Sequence, residues 1–151
     1  MTDTWKEVVA EWIGDDVFVG KNPTGGTVQI GTLVGRPGIG PMEMLLLGVA
    51  GCTGMDITSI LRKQRQPLEK FEVRVRGLRS GTFPKVYKEI DVTYVLWGDG
   101  ISQRAVEQAI QLSEDKYCSA SLMMRAAGAN MHSAYRILAP GETLEEAASS
   151  M

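Results

Sequence analysis

Cys52, Cys118 and His132 carry the most reactive side chains of this sequence, and it holds no further cysteine or histidine. A thiolate is both a nucleophile and an oxidisable centre. Two thiols therefore suit a redox cycle in which one is oxidised and the other closes a disulfide. The two are 66 positions apart (118 minus 52), and spacing alone does not place them within bonding range. The bland alternative is that each is a small buried hydrophobe, the usual role of a free cysteine. Cys52 stands in Leu47-Gly-Val-Ala-Gly-Cys-Thr-Gly-Met-Asp56. Glycines and alanine there let a reactant approach the sulfur, and Thr53 and Asp56 add polar groups to an apolar run. Cys118 stands in Glu114-Asp-Lys-Tyr-Cys-Ser-Ala-Ser121, at a junction that opens a helix, where free backbone N–H groups favour a thiolate.

Other chemistries are excluded by what the sequence lacks. Two cysteines cannot supply a four-thiolate zinc site and no local zinc spacing occurs, so no metal is expected. A serine hydrolase would have to use His132, and G-x-S-x-G is absent. His132 reads as an ordinary strand residue. Gly14 to Lys21 has one residue too many for a phosphate-binding loop, and Asn22 follows where Ser or Thr is needed. Gly35-Arg-Pro-Gly-Ile-Gly40 runs the dinucleotide fingerprint in the wrong order, so no cofactor is implied. Met42, Met44, Met55, Met123 and Met124 read as core, or as the wall of a pocket for a greasy substrate. A net charge of −2 and a pI near 5.5, without a basic run, argue against nucleic acid as a partner. Met1-Thr-Asp-Thr-Trp-Lys-Glu7 has no basic region leading into an apolar one, so a cytoplasmic location with reduced thiols is expected.

The elements that must position these residues follow from periodicity. At 151 residues, 44% of them hydrophobic, the sequence predicts one domain over 1–151, with a core at about 5–138 and a tail at 139–151. Val8–Ile13, Val17–Val19 and Thr27–Ile30 read as a meander of short strands divided by turn residues. Residues 31–40 are too rich in Gly and Pro for a regular element. Pro41 opens a helix predicted to run to Arg65, stopped by Pro67. It is apolar nearly all round and is expected to be central and buried. Its unbroken apolar stretch, Met44–Gly51, is far shorter than the ~20 residues of a membrane span. Gly48, Gly51 and Gly54 lie along one surface of it and permit close packing of another backbone.

Phe71, Val73 and Val75 alternate with charged residues in a half-buried strand. A long strand over Val86–Trp97 follows, with Val86, Ile90, Val92, Tyr94 and Leu96 sharing one face. Ser102 is the expected N-cap of a helix burying Val106, Ala109, Ile110 and Ser113. A shorter helix follows Cys118 and ends at Gly128. Met131, Ser133, Tyr135 and Ile137 alternate as a last strand, and the residues beyond Pro140 read as a frayed tail or weak helix. The order βββ-α-ββ-αα-β is an α+β pattern.

Pro41-Met-Glu-Met-Leu-Leu-Leu-Gly-Val-Ala-Gly-Cys-Thr-Gly-Met-Asp56, together with Glu114-Asp-Lys-Tyr-Cys-Ser-Ala-Ser121, resembles the OsmC/Ohr family of osmotically induced and organic-hydroperoxide-resistance proteins. The resemblance covers roughly residues 5–138. It implies an intertwined homodimer, with curved sheets wrapped around central helices and two active sites at the interface. It also implies a catalytic pair, with Cys52 as peroxidatic and Cys118 as resolving cysteine. The substrate would be an organic hydroperoxide, the reductant an external dithiol such as a lipoylated protein, and no metal, flavin or haem would take part. The hydroperoxide-resistance branch has Arg after a Gly-Gly pair and Glu directly after the helix-start Pro; here those places hold Thr27 and Met42. Arg36 and Glu43 are the positional substitutes, and Asp56 is a further supporting candidate. Cys52 lies about three turns into its helix, where the dipole gives little help, so its thiolate needs a cation, for which Arg36 is the candidate. The alternative function is a non-catalytic dimer that binds a small apolar ligand against unreactive thiols.

Overall fold

The structure, a computed structural model, describes residues 2–149. Contacts along the chain group into two compact units, Met1–Leu45 and Leu46–Met151.

In the first unit, β1 (Val9–Gly14), β2 (Val17–Lys21) and β3 (Thr27–Ile30) form an antiparallel meander in that order. Asn22 shapes the second turn, its side-chain oxygen accepting the N–H groups of Thr24 at 3.1 Å and Gly26 at 2.7 Å. The loop at 31–40 is irregular, as expected, yet well tied. Leu33 and Arg36 exchange backbone hydrogen bonds around the tip Val34-Gly35, and Gln29 Nε2 donates to the Gly31 and Arg36 carbonyls.

Helix α1 (Pro41–Lys63) starts in the first unit and continues into the second. Pro41 takes the first position, and Glu43 reaches back to accept the Gly40 N–H at 2.8 Å, half of a capping box. The helix ends two residues before the predicted Arg65. The reason is a left-handed turn at Arg65 itself (φ 54), with Gln66 N–H on the Leu61 carbonyl and Arg65 N–H on Arg62, a Schellman arrangement built without glycine. By length and composition this 23-residue helix could cross a membrane. Its burial differs from the expectation. A single stripe, Val49, Thr53, Ile57 and Leu61, is buried, whereas Leu47 and Met55 are 55% and 76% exposed. Of the three glycines only Gly54 meets a neighbour, facing Val73 and Phe71; a Cβ at Gly48 or Gly51 would meet nothing within 4 Å among the described residues.

The second unit is built on a sheet of β4 (Lys70–Arg79), β5 (Tyr87–Trp97) and β6 (Asn130–Leu138) in that order. β4 is antiparallel to β5, and β6 is parallel to β5. A parallel neighbour requires a crossover. It is made by α2 (Gln103–Leu112), a π-helical turn at Ser113–Tyr117, and α3 (Ser119–Ala126). The register places Val73, Tyr94 and Tyr135 side by side, and likewise Phe71, Leu96 and Ile137, so the predicted apolar faces of all three strands coincide. Val86 does not join that face. It precedes β5 and is 52% exposed, because a bulge opposite Leu78–Arg79 brings Tyr87 into the core instead. Ser102 caps α2 as expected, its Oγ accepting the Ala105 N–H, and Gly128 (φ 104) terminates α3.

The tail is more ordered than the sequence suggests. Thr143 and Glu146 form a reciprocal capping box at the start of α4 (Leu144–Ser149). Leu144 packs on Val95, Trp97 and Leu138, and the Trp97 indole donates to the Glu142 carbonyl. This contact covers the second face of β5 and explains why its last residues are buried on both sides.

Candidate functional site: a thiol pair held by a polar cluster

Cys118 ends the π turn and caps α3. Its backbone N–H donates to the Ser113 carbonyl at 2.7 Å, the bond that closes the π turn, and its side chain is fully buried. The sulfur accepts two hydrogen bonds from Ser121, from the hydroxyl at 3.1 Å and from the backbone N–H at 3.4 Å. The backbone donor is one of the free N–H groups of a helix start, as the sequence position implied. Burial pushes the Cys118 thiol above its ordinary range. The Ser121 donors pull it back in part, and a hydrogen bond with the Cys52 thiol and the charge of that group raise it again. The two cysteines are therefore mutual neighbours. Both are free thiols, Cys52 half-buried on α1 and Cys118 at the N-terminus of α3.

Around them runs a polar network that no local pattern announces. Asp56, one turn after Cys52, accepts a hydrogen bond from the buried Ser113 hydroxyl at 2.9 Å. Glu114 accepts the Tyr94 hydroxyl at 2.8 Å on one oxygen and the Ser133 hydroxyl at 3.2 Å on the other. Arg125 stands 3.9 Å from the same carboxylate and donates to the Glu114 carbonyl at 3.0 Å. Burial, reinforced by the Glu114 carboxylate, holds the Tyr94 phenol far above its ordinary range, so it stays a hydrogen-bond donor at any physiological pH. No buried side-chain nitrogen or oxygen among the described residues is left without a partner.

Of the residues singled out from sequence, Cys52, Asp56 and Cys118 come together in the second unit. Arg36 and Glu43 belong to the first. Arg36 closes the turn at 33–36 with its side chain exposed, and Glu43 caps its own helix. His132 lies exposed on β6 with Nε2 2.8 Å from Glu89, the strand residue expected. Glu114, Tyr94, Ser121, Ser133 and Arg125 carry site contacts that the sequence reading assigns to none of them. One signal for two of them existed: Tyr94 and Ser133 are hydroxyl residues that alternate with apolar ones along their strands. Among the described residues, no group of three or more His, Cys, Asp or Glu side chains is placed to hold a metal.

Comparison with known proteins fits this arrangement. Residues 34–132 match the model of the OsmC-like protein family. Protein YhfA of Escherichia coli K12 is 31% identical over 129 residues, covering 85% of this chain and 96% of its own. The crystal structure of a hypothetical protein from Aquifex aeolicus superposes with a TM-score of 0.81 at 32% identity, covering 91% and 98% of the two chains. The organic hydroperoxide resistance protein OhrB of Bacillus subtilis shares the fold, with a TM-score of 0.57 at 16% identity over 89% of this chain and 98% of its own. This chain, with two thiols set between its long apolar helix and its crossover, belongs to the OsmC-like protein family.

Proposed function

We propose that this protein is a cysteine-based, thiol-dependent peroxidase that reduces organic hydroperoxides. The observation that carries this reading is the Cys52–Cys118 thiol pair, with Cys118 kept protonated by burial and cradled by Ser121. In the cycle, the Cys52 thiolate attacks the outer peroxide oxygen, the O–O bond breaks and an alcohol leaves once protonated. Cys52 is now a sulfenic acid. The Cys118 sulfur attacks the Cys52 sulfur, water leaves and a disulfide forms. An external dithiol, such as a lipoylated protein, returns two electrons and two protons by thiol–disulfide exchange. No metal or organic cofactor takes part.

The working unit in this proposal is a cytoplasmic homodimer of one 151-residue domain, without nucleic-acid or membrane partners. Support comes from α1, whose exposed Leu47, Gly48, Gly51 and Met55 form an apolar, glycine-lined surface suited to a second copy. Arg36 from either subunit is the proposed cation for the Cys52 thiolate. Glu43 and Asp56 are supporting residues, Glu43 through the helix start and Asp56 through Ser113.

The full burial of Cys118 also suits a second reading, a dimeric binding protein for a small apolar ligand with its thiols as pocket wall. Steady-state turnover separates the two. With cumene hydroperoxide and dihydrolipoamide, the wild type consumes peroxide catalytically and Cys52→Ser does not. Equal, background-level consumption by both proteins contradicts the peroxidase reading.

A further inference from the structure

The π turn at Ser113–Tyr117 leads directly into Cys118, and its first two residues are held by different elements. Ser113 is held by Asp56 of α1, and its carbonyl holds the Cys118 N–H. Cys52 is thus linked to Cys118 through one helical turn, about 6 Å of α1, and two hydrogen bonds. Glu114 makes the second hold. Its carboxylate joins β5 through Tyr94, β6 through Ser133 and α3 through Arg125, while the Arg125 guanidinium also takes its backbone carbonyl. The side chain is only 17% exposed, so these partners largely replace water.

π turns are rare, occur mostly as single turns and concentrate at functional sites. Such a turn persists where surrounding contacts over-determine it. A disulfide demands closely defined geometry, with Cβ atoms about 3.5–4.5 Å apart. An error of about 1 Å in placing a reacting group can cost on the order of a hundredfold in rate.

We infer that Glu114 and Asp56 are positioning residues for the resolving step: they fix the π turn so that the Cys118 sulfur meets Cys52, and they set disulfide closure apart from the reactivity of Cys52 itself. This rests on the two-thiol cycle proposed above. Neither residue touches a reacting atom. Both act through the backbone of Ser113–Cys118. Glu114 is the more informative of the two, because it engages three separate elements and its own side chain has no bond to either cysteine.

The test measures the effective concentration of the two thiols in glutathione redox buffers, together with the alkylation rate of Cys52 by iodoacetamide in the reduced protein. Glu114→Ala is expected to lower the effective concentration at least tenfold, a shift of about 30 mV for this two-electron couple. Cys52 alkylation should stay within twofold of wild type. Glu114→Gln, which keeps an oxygen acceptor for Tyr94 and turns its amide N–H toward the Ser133 oxygen, should recover part of the loss. An unchanged thiol equilibrium in Glu114→Ala overturns the inference, and so does a parallel fall in both readouts or a glutamine variant as impaired as alanine. If Glu114→Ala does not fold, the Ser133→Ala/Arg125→Ala double variant, which strips two partners and leaves Tyr94, is held to the same tenfold criterion. Glutathione exchange needs no peroxide, so a protein inert to hydroperoxides that still shows the effect loses the peroxidase reading and keeps this one. A wild type that forms no Cys52–Cys118 disulfide at any glutathione ratio loses both.

Discussion

Ser113 donates its hydroxyl hydrogen to Asp56 Oδ2 at 2.9 Å across 57 positions of sequence. Asp56 follows Cys52 by one turn of α1, and the Ser113 carbonyl holds the backbone of Cys118 at 2.7 Å. One side-chain hydrogen bond therefore fastens the segment that carries the first thiol to the segment that carries the second. If it fails, a fully buried hydroxyl loses its partner.

Asp56→Ala should cost about 1–3 kcal/mol of unfolding free energy, the penalty for leaving a buried donor unsatisfied. Asp56→Asn retains an oxygen acceptor and should cost less than half as much. Urea midpoints at equal m-value measure both. Equal losses would mean that the carboxylate charge, rather than the bond to Ser113, is what counts.

Alkaline pH should weaken the fold in a way that depends on Cys118. Its thiol titrates higher in the folded protein than in the unfolded chain, so the folded state holds the proton more tightly. The resulting stability is complete below the ordinary thiol pKa of ~8.5 and is lost as pH rises through the raised folded value. Cys118→Ser removes this titration and should flatten the slope of stability against pH above that point. Ser121→Ala should leave the onset where it is and extend the loss to higher pH, since it removes a donor that favours the thiolate and so raises the folded value further. The Tyr94 phenol, also raised by burial, adds a later loss common to all three proteins. A wild-type slope no steeper than that of Cys118→Ser would refute the assignment.

Much of the positioning scaffold is legible in the residues themselves. Pro41 marks the start of α1, the alternation of Phe71, Val73 and Val75 marks β4, Ser102 caps α2 and Gly128 ends α3, each through a local preference that survives in the fold. Where neighbours in space decide, the reading departs. Arg65 adopts a left-handed conformation that its residue type does not advertise, and a bulge exchanges Val86 for Tyr87. The residues beyond Pro140 read as a frayed tail or weak helix, because the anchoring of the tail depends on Trp97 and Leu138, which are distant in sequence. Cys52 and Asp56 stand out as polar groups on an apolar helix, and Cys118 stands out at a junction that opens a helix. Glu114 and Arg125 were not, because charged residues in a helical segment read as solvated surface until Tyr94 and Ser133 are brought to them by the parallel pairing of β5 and β6.

The open glycines of α1 give a test of assembly. A Cβ at Gly51 meets nothing within 4 Å among the described residues, so a single chain should tolerate Gly51→Leu, and helix propensity should improve by up to ~1 kcal/mol. If a second copy packs on that surface, the dimer dissociation constant should rise at least a hundredfold, about 2.8 kcal/mol. Sedimentation equilibrium of both proteins measures the change. A Gly51→Leu dimer as tight as wild type would place the interface elsewhere.

Arg36→Ala examines the proposed source of positive charge. The second-order rate of Cys52 oxidation by an organic hydroperoxide at neutral pH should fall at least tenfold, while molecular mass and far-ultraviolet circular dichroism remain those of the wild type. An unaltered rate rejects Arg36 and leaves the two-thiol cycle standing.

The measurement closest to the central claim is peptide mapping after one equivalent of cumene hydroperoxide is added to the fully reduced protein. The cycle predicts an intramolecular Cys52–Cys118 disulfide in the wild type. In Cys118→Ser it predicts Cys52 trapped as sulfenic or sulfinic acid, since nothing remains to resolve it. Two free thiols in the wild type after the peroxide has been added, with Cys52 unmodified in Cys118→Ser, would contradict it.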